Sequence, residues 1–491
     1  MASVKTLIKT RLDLLLYFLL AGLIVFSICF ERMPLENMLA FDGGGYLVRS
    51  QHLGEMLSNN EISAYHIQRI FTSFLVWSFG KLFSIELTVN FVVNAFIVIN
   101  IIAIIISIYY YEKICRLLRF DMYIKSVGII LAFFTFPVLK MSFYYPVLND
   151  TAALATGFIM INQYLNKNII SLFIITIIGS FIFPTFFYIG FLLILFTGEA
   201  EFTTKEFKGK WMVYGISIGL VLLYIAWELY IFVYKTGTIE RYNLSSNSPI
   251  QKNLFPFSLI ICCLYLIYVT VIFLGNNNNL RYILHSIQLK LLIYLIGLIF
   301  FIKTIQTIFA SNNLQSFSQI DYFFTTIRHS ISNPFKFVVS HFVYYGLLIP
   351  LIILMFKPWV NSIKNLGIGY KLVVLFCLLL AINPESRQLI NFFPFLIIPF
   401  LSSIPQMRKY KIILLFIFVT NLLLSRFWYP MNIKTPFYGA FNEFPWQHYF
   451  MTQGPWMSTN MYYLQTVILI VTLIITYFFI RNSFSEKSTI I

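Results

Sequence analysis

The chain has 491 residues, of which 59% are hydrophobic and only 11% charged, and its mean hydropathy is +0.80. Soluble proteins carry about 25% charged residues, so this composition excludes a soluble globular protein and indicates a polytopic membrane protein. The formal net charge of +16 would favour nucleic acid as a partner in a soluble protein. In a membrane protein it is explained by basic cytoplasmic loops, so no nucleic-acid partner is expected.

Several kinds of site have no local sequence pattern to support them. The chain shows no Ser-His-Asp arrangement, P-loop, dinucleotide fingerprint or zinc motif. The five cysteines have neither metal-site spacing nor the pattern of a disulfide framework; they are Cys29, Cys115, Cys262, Cys263 and Cys377. The first apolar run lacks a small-residue cleavage site and leads into Glu31 and Arg32, so we expect a retained helix and not a removed signal peptide.

Hydrophobic runs predict an all-α fold, a single transmembrane helical bundle covering residues 1–491 with about fourteen spans, several of them short. We expect the spans at roughly 12–30, 88–110, 126–138, 150–164, 168–183, 185–197, 211–234, 254–274, 290–309, 337–356, 371–383, 388–403, 411–426 and 464–480.

Basic residues set the expected orientation. Lys5, Lys9 and Arg11 precede the first span, which places the N-terminus in the cytoplasm. With an even number of spans, the C-terminus lies there as well. We therefore expect a multi-pass membrane protein with both termini cytoplasmic.

One stretch leaves the number of spans open. Residues 169–196 could form one long helix broken at Pro184, or two short spans. Only two spans place the later basic loops near residues 357–371 and 408–411 in the cytoplasm. The positive-inside rule therefore favours two.

The first extracytoplasmic loop, residues 31–87, carries the most distinctive polar sequence. Within it, Ile67, Ile70, Phe71 and Phe74 follow helical spacing, with Trp77 alongside. Such a pattern predicts an amphipathic helix that lies on the membrane surface.

Asp42 is the first candidate functional residue of this loop. It is followed by Gly43-Gly44-Gly45-Tyr46 and preceded by Glu36. Three glycines disfavour a helix and permit a tight turn with close approach to a ligand. A carboxylate here suits proton abstraction from an acceptor, or metal coordination. A solvated Asp-Gly turn is the structural alternative.

His66 and Arg69 are three residues apart on the predicted surface helix, so they are expected to share a face. An arginine at the headgroup boundary is suited to bidentate phosphate binding. The alternative is that Arg69 extends towards the phosphates of ordinary membrane lipids.

Two later residues are expected on the same side as Asp42. Asp150 begins an apolar run. It could cap the helix that follows, and it could also face a cavity shared with Asp42; the two interpretations are compatible. Arg387 lies in a very short outer loop, where it either binds a second phosphate or pairs with Glu385.

Glu228 and Lys303 are ionisable residues within predicted spans. Intramembrane charges are costly and rare. A structural Glu–Lys pair is the preferred interpretation, and a proton or ion relay is the functional alternative.

Together these stretches resemble the GT-C class of polytopic membrane glycosyltransferases, which use polyprenyl-phosphate sugars. Four local features carry the resemblance. They are Phe41 to Tyr46, similar to an acidic motif after the first span; Tyr65 to Phe71, similar to a Tyr/Arg-rich segment; Pro146 to Thr151, similar to a second acidic site; and Arg387 to Pro394, similar to an arginine-to-proline pattern near a late span.

The resemblance implies an enzyme of a bacterial inner or plasma membrane that transfers a sugar from a polyprenyl-phosphate-linked donor to an envelope, glycan or lipid acceptor on the extracytoplasmic side. In-line attack on the anomeric carbon would give inversion. Asp42 would be the catalytic acid that activates the acceptor. The substrate-binding residues would be Glu36, Tyr46, His66, Arg69, Asp150 and Arg387. Many members carry paired acids where this chain has glycines, so no metal ligand is assigned, although a divalent metal stays possible.

Two other functions share parts of this pattern. A flippase or transporter of lipid-linked saccharides would also have many spans, but its ionisable groups belong near the membrane midplane. An envelope polysaccharide polymerase would be expected to use a late outer loop, here residues 427–463.

Overall fold

The computed structural model describes residues 12–30, 32–33, 38–39, 42–197, 215, 218–219, 254–275, 286–311, 329–404, 410–429, 454 and 457–484. These residues are overwhelmingly helical. Their one β feature is an isolated parallel bridge between Ile62 and Ala310. The predicted all-α class is confirmed.

Eighteen α-helices of four or more residues are numbered here in chain order within these ranges. They are α1 Leu12–Phe30, α2 Asp42–Ser58, α3 Ala64–Ile67, α4 Phe71–Leu82, α5 Val89–Leu117, α6 Met122–Phe133, α7 Asp150–Leu165, α8 Ile169–Ser180, α9 Thr185–Leu195, α10 Phe255–Thr270, α11 Leu289–Phe309, α12 Lys336–Tyr345, α13 Leu348–Leu354, α14 Phe356–Lys364, α15 Ile368–Leu380, α16 Phe393–Ser403, α17 Tyr410–Leu424 and α18 Thr459–Phe484.

Five helical segments of the described chain are long and apolar enough to cross a membrane, as expected of an integral membrane protein. They are Leu12–Phe30, Val89–Leu117, Pro256–Leu274, Leu289–Phe309 and Thr459–Arg481. Counting one bent helix pair as a span gives up to six. The other apolar helices are shorter, so the total of about fourteen spans stays a prediction.

Large apolar side chains cover the outer surfaces of the long helices. Phe18 and Phe30 of α1 are 77% and 75% exposed, and Phe300 of α11 is likewise exposed. A soluble protein rarely exposes such continuous apolar surface. These faces are therefore suited to contact with lipid chains.

The bent pair begins with α6 and continues after a break as Pro137–Tyr144, at an angle of 53°. Proline cannot donate a backbone hydrogen bond, which favours a bend. The side chain of Asn100 in α5 donates to the carbonyls of Ser142 and Pro146, at 2.8 and 2.9 Å. This anchor fixes the segment that leads into Tyr145 and α7.

The chain around Pro184 forms two separate helices, α8 and α9, and not one long helix. The two helices fold back on each other and pack closely at Gly190. A Cβ at this position would lie only 2.0 Å from the hydroxyl oxygen of Thr176. Glycine thus permits the close packing of the hairpin. The break at Pro184 agrees with the two-helix interpretation.

Two polar clusters lie at opposite ends of α1 and α5. At one end Lys125 pairs with Asp13 and Glu112, at 2.7 and 2.8 Å. The opposite end carries α2, whose Gln51 donates to the carbonyl of Leu87, just before α5 begins. This arrangement agrees with the relative sidedness expected from the charges, although which end faces the cytoplasm stays a prediction.

The predicted surface helix is divided into two helices, α3 and α4. The backbone N–H of Phe71, the first residue of α4, donates to the carbonyl of Phe181 at 3.0 Å, and the bridge at Ile62 joins the loop to the end of α11. The first loop is therefore packed onto the bundle. Its position relative to a lipid surface stays a prediction.

Helix α16 contains Pro399, which removes the donor that would normally bond the carbonyl of Phe395 four residues earlier. The hydroxyl of Tyr370 in α15 donates to this carbonyl at 3.1 Å. A buried carbonyl is thereby satisfied from the neighbouring helix. This contact stabilises α16, which lies directly after the segment containing Arg387.

We expect Tyr370→Phe to lower the free energy of unfolding by about 1–3 kcal/mol, because it leaves a buried carbonyl without a donor. Denaturation in detergent micelles measures the change. Tyr294→Phe is the matched control, since Tyr294 is exposed on α11 and should change little. Equal stability of the two variants would contradict the assigned role of Tyr370.

Candidate functional site

Asp42 occupies the first turn of α2, and the three glycines after it are helical. The expectation that they form a tight turn outside a helix is therefore wrong. The backbone N–H of Gly43 donates to the hydroxyl of Tyr145 at 2.7 Å, and a Cβ on Gly43 would lie 3.0 Å from that ring. Packing against Tyr145 stabilises the start of the helix despite the low helix propensity of glycine.

Arg387 connects two carboxylates from distant parts of the chain. Its Nη2 lies 2.9 Å from Oδ2 of Asp42, and its Nε lies 3.4 Å from Oδ2 of Asp150. The hydroxyl of Tyr344 in α12 also donates to Asp150 Oδ2, at 3.3 Å. We call these four residues the carboxylate–arginine cluster.

Asp150 is the first residue of α7, and Asn149 occupies the N-cap position. The expectation that Asp150 is the N-cap is therefore wrong; its carboxylate instead meets the guanidinium that also pairs with Asp42. Asn149 holds neighbouring segments together by donating to the carbonyls of Arg69 and Ile182, at 2.8 and 3.2 Å. Its side-chain oxygen accepts a hydrogen bond from Thr72.

Pairing with Glu385 was the structural alternative expected for Arg387, but Glu385 contacts Gln388 instead. Its Oε1 accepts a hydrogen bond from Gln388 at 3.3 Å. Gln388 in turn accepts from Nη2 of Arg69 at 2.7 Å. The short 3₁₀ turn Ser386–Leu389 thus orients both Arg387 and Arg69.

Arg69 lies beside the cluster, between two aromatic rings. Its guanidinium carbon is 4.5 Å from the ring centre of Tyr65 and 4.7 Å from that of Phe183. A planar guanidinium stacks on aromatic faces, and the side chain is 4% exposed. Burial at this depth does not fit the alternative in which Arg69 extends to ordinary lipid phosphates.

Arg49 is a second buried arginine that the sequence reading missed. It is 5% exposed and packs over the ring of Tyr46 at 4.7 Å. Among the described residues no carboxylate pairs with it, and its Nε has no hydrogen-bond partner. Arg49 follows Asp42 by two helical turns, a spacing that becomes visible only once the glycines are assigned to a helix.

His66 lies in α3, where its Nδ1 is 2.9 Å from the hydroxyl of Ser63. Burial, together with the charges of Arg49 and Arg69, lowers the pKa of His66 to about 4. At neutral pH the imidazole is therefore uncharged. The two arginines make its surroundings positive, which favours an anionic ligand.

Two other candidates, Glu36 and Glu228, lie outside the described residues, as does most of the loop 427–463. Lys303 is exposed on α11, where its carbonyl accepts from Thr307. The expected Glu228–Lys303 pair therefore stays a prediction.

The arrangement of the two carboxylates is also relevant to metal binding. In the described part of the chain, no three His, Cys, Asp or Glu residues are arranged as metal ligands. Asp42 and Asp150 direct oxygens at the guanidinium of Arg387. Arg387 supplies the positive charge between them that a divalent cation would otherwise provide.

The charge state of Asp42 follows from this arrangement. Burial by itself raises the pKa of Asp42, but the charge and hydrogen bond of Arg387 outweigh it and hold the pKa below the ordinary 3.8. The side chain is still 58% exposed. Asp42 is therefore ionised at neutral pH and reachable by a solute.

We expect Arg387→Gln to raise the pKa of Asp42. Arg387 lowers the pKa of Asp42, so the ion pair is lost only when the pH falls through that low pKa. Without Arg387, a larger fraction of Asp42 is protonated at mildly acidic pH than in the unaltered protein. Carbodiimide labelling at about pH 5 measures this, with exposed Glu61 as internal reference. Each rise of one pKa unit multiplies the protonated fraction about tenfold. An unchanged Asp42-to-Glu61 ratio would exclude this effect of Arg387; Arg481→Gln is the control.

The chain was also compared with known proteins. No family model, curated protein or solved structure matches it.

Proposed function

We propose that the protein is an integral membrane glycosyltransferase that transfers a sugar from a polyprenyl-phosphate-linked donor to a glycan or lipid acceptor on the extracytoplasmic side. The observation that carries the proposal is the carboxylate–arginine cluster. Asp42, Asp150 and Arg387 come from three separate parts of the chain and meet within hydrogen-bond or ion-pair distance. Two further buried arginines lie close by.

Arg49 and Arg69 support binding of the donor phosphate. Both are buried, their charges act on each other, and neither is in the ion pairs of the cluster. A phosphate placed between them would relieve their repulsion and accept charge-assisted hydrogen bonds. Stabilising the negative charge that develops on the phosphate would make it a better leaving group. We assign phosphate binding to Arg49 together with Arg69, and not to Arg387, because Arg387 already pairs with two carboxylates.

Asp42 supports activation of the acceptor. It is ionised at neutral pH and exposed enough to meet an incoming hydroxyl or amine. In the proposed step its carboxylate takes the acceptor's proton while the acceptor oxygen or nitrogen forms the bond to the anomeric carbon. The bond from that carbon to the phosphate oxygen breaks on the opposite face, so the configuration inverts. Tyr344 donates to Asp150, and Asp150 pairs with Arg387, which keeps Asp42 ionised.

The proposed setting is a multi-pass protein of a bacterial inner or plasma membrane, with about fourteen spans and both termini cytoplasmic. In this topology the loop 31–87 and the turn Ser386–Leu389 share the extracytoplasmic side. Helix α4, which exposes Phe74 and Phe79, would lie against the lipid surface. A lipid-linked donor would then reach Arg49 and Arg69 laterally from the membrane.

We expect Asp42→Asn to reduce sugar transfer about 10²- to 10⁴-fold, the usual contribution of a general base. The assay follows transfer of radiolabelled sugar from a polyprenyl-phosphate donor in membrane vesicles. Glu61→Gln, an exposed change on the same predicted side, should stay active. Normal turnover of Asp42→Asn would refute the proposed chemistry. If Glu228→Gln abolished function instead, a lipid-linked saccharide transporter would be favoured.

We expect Arg49→Gln to raise the KM for the donor about 10- to 100-fold, because a charged hydrogen bond to phosphate contributes about 1.5–3 kcal/mol. Steady-state kinetics with varied donor concentration measure it. Lys81→Gln removes a basic residue at the end of α4 and serves as the control. A KM unaffected by Arg49→Gln would exclude Arg49 from donor binding.

A further inference from the structure

We propose that His341 is a positioning residue that sets the place of Arg387 and, through it, the proton affinity of Asp42. This proposal rests on the proposed function for its catalytic meaning, but its geometry is independent of it. His341 lies in α12, touches neither Asp42 nor Arg387, and belongs to none of the motifs in the sequence.

His341 bonds to both ends of the turn that leads to Arg387. Its Nε2 lies 2.7 Å from the carbonyl oxygen of Ala381, and its Nδ1 lies 2.9 Å from the hydroxyl of Ser386. Ala381 follows the last residue of α15, and Ser386 directly precedes Arg387. One imidazole therefore ties the start of this turn to its end.

The hydrogen bonds also determine the tautomer. A carbonyl oxygen can only accept, so Nε2 carries the proton and donates it to Ala381. Nδ1 then accepts from the hydroxyl of Ser386. A neutral imidazole satisfies both partners at once, and His341 is buried among them.

The same face of α12 holds the other parts of the cluster. Positions 344 and 345 each lie about one helical turn after position 341, so both neighbour it on one side of α12. Tyr345 donates to the carbonyl of Ser386 at 2.6 Å and stacks on Phe393 with ring centres 4.5 Å apart. Tyr344 donates to Asp150. Helix α12 thus fixes Arg387 and Asp150 relative to each other.

The consequence for Asp42 is electrostatic. Arg387 holds down the pKa of Asp42 through a contact of 2.9 Å, and that effect weakens as the two groups separate. Ser386 is fixed on its hydroxyl by His341 and on its carbonyl by Tyr345. Releasing the hydroxyl gives the following guanidinium more freedom to leave Asp42.

The test uses the full-length protein in detergent and needs no substrate. His341→Phe keeps an aromatic ring but loses both hydrogen bonds, whereas His341→Gln retains one donor and one acceptor at similar separation. Carbodiimide labelling of Asp42 relative to Glu61, at about pH 5, is compared in the two variants and in Arg387→Gln. We expect His341→Phe to raise the ratio towards the Arg387→Gln value, and His341→Gln to stay near the unaltered protein.

A second variant covers the case in which His341→Phe fails to fold. Ser386→Ala removes only the hydroxyl and should raise the ratio by a smaller factor in the same direction. A loss of thermal stability with an unchanged labelling ratio in these variants would show that His341 is merely structural, and would overturn the proposal. If labelling behaves as expected while Asp42→Asn keeps full transfer activity, the positioning stands and the proposed function fails.

Discussion

The structure of the candidate site depends on one guanidinium placed between two carboxylates. Arg387 and Asp42 are 345 positions apart in the chain, and Asp150 belongs to a third segment. An arginine removed from water is stabilised only when opposite charges and hydrogen bonds replace its hydration. Arg387 therefore requires both acids, and its position joins α2, α7 and the turn before α16.

Much of the surrounding fold serves to hold this contact. Asn100 fixes the bent segment that leads to Tyr145 and α7. Tyr145 anchors the glycine-rich start of α2, and α12 anchors the turn that carries Arg387. Each support is a hydrogen bond between a buried side chain and a backbone or side-chain group of the site or of a segment that leads to it. Such bonds position a charged group more firmly than apolar packing, because leaving a buried polar group unpaired is costly.

Asp42, Asp150, Arg69 and Arg387 were recognisable in the sequence because an acid or arginine at the edge of an apolar run is unusual. The residues packed around them were not recognisable. The expectation of a glycine turn outside a helix hid the helical spacing between Asp42 and Arg49, because the sequence gives no sign of the contact with Tyr145 that stabilises this helix. His341 and Tyr345 lie within or beside an apolar stretch, where their residue types give no sign of contact with a turn some forty residues later. Nor does the sequence around Tyr344 indicate its hydrogen bond to Asp150.

The sequence by itself determined that this is an all-helical integral membrane protein, because its apolar runs leave too little polar surface for water. It also indicated which polar residues lie near one another along the chain. Only the tertiary structure decided that Arg387 pairs with Asp42 and Asp150 instead of Glu385, and that Arg49 lies buried near Arg69. Helix periodicity specifies the face on which a side chain lies, whereas the partner that face meets depends on how distant helices pack.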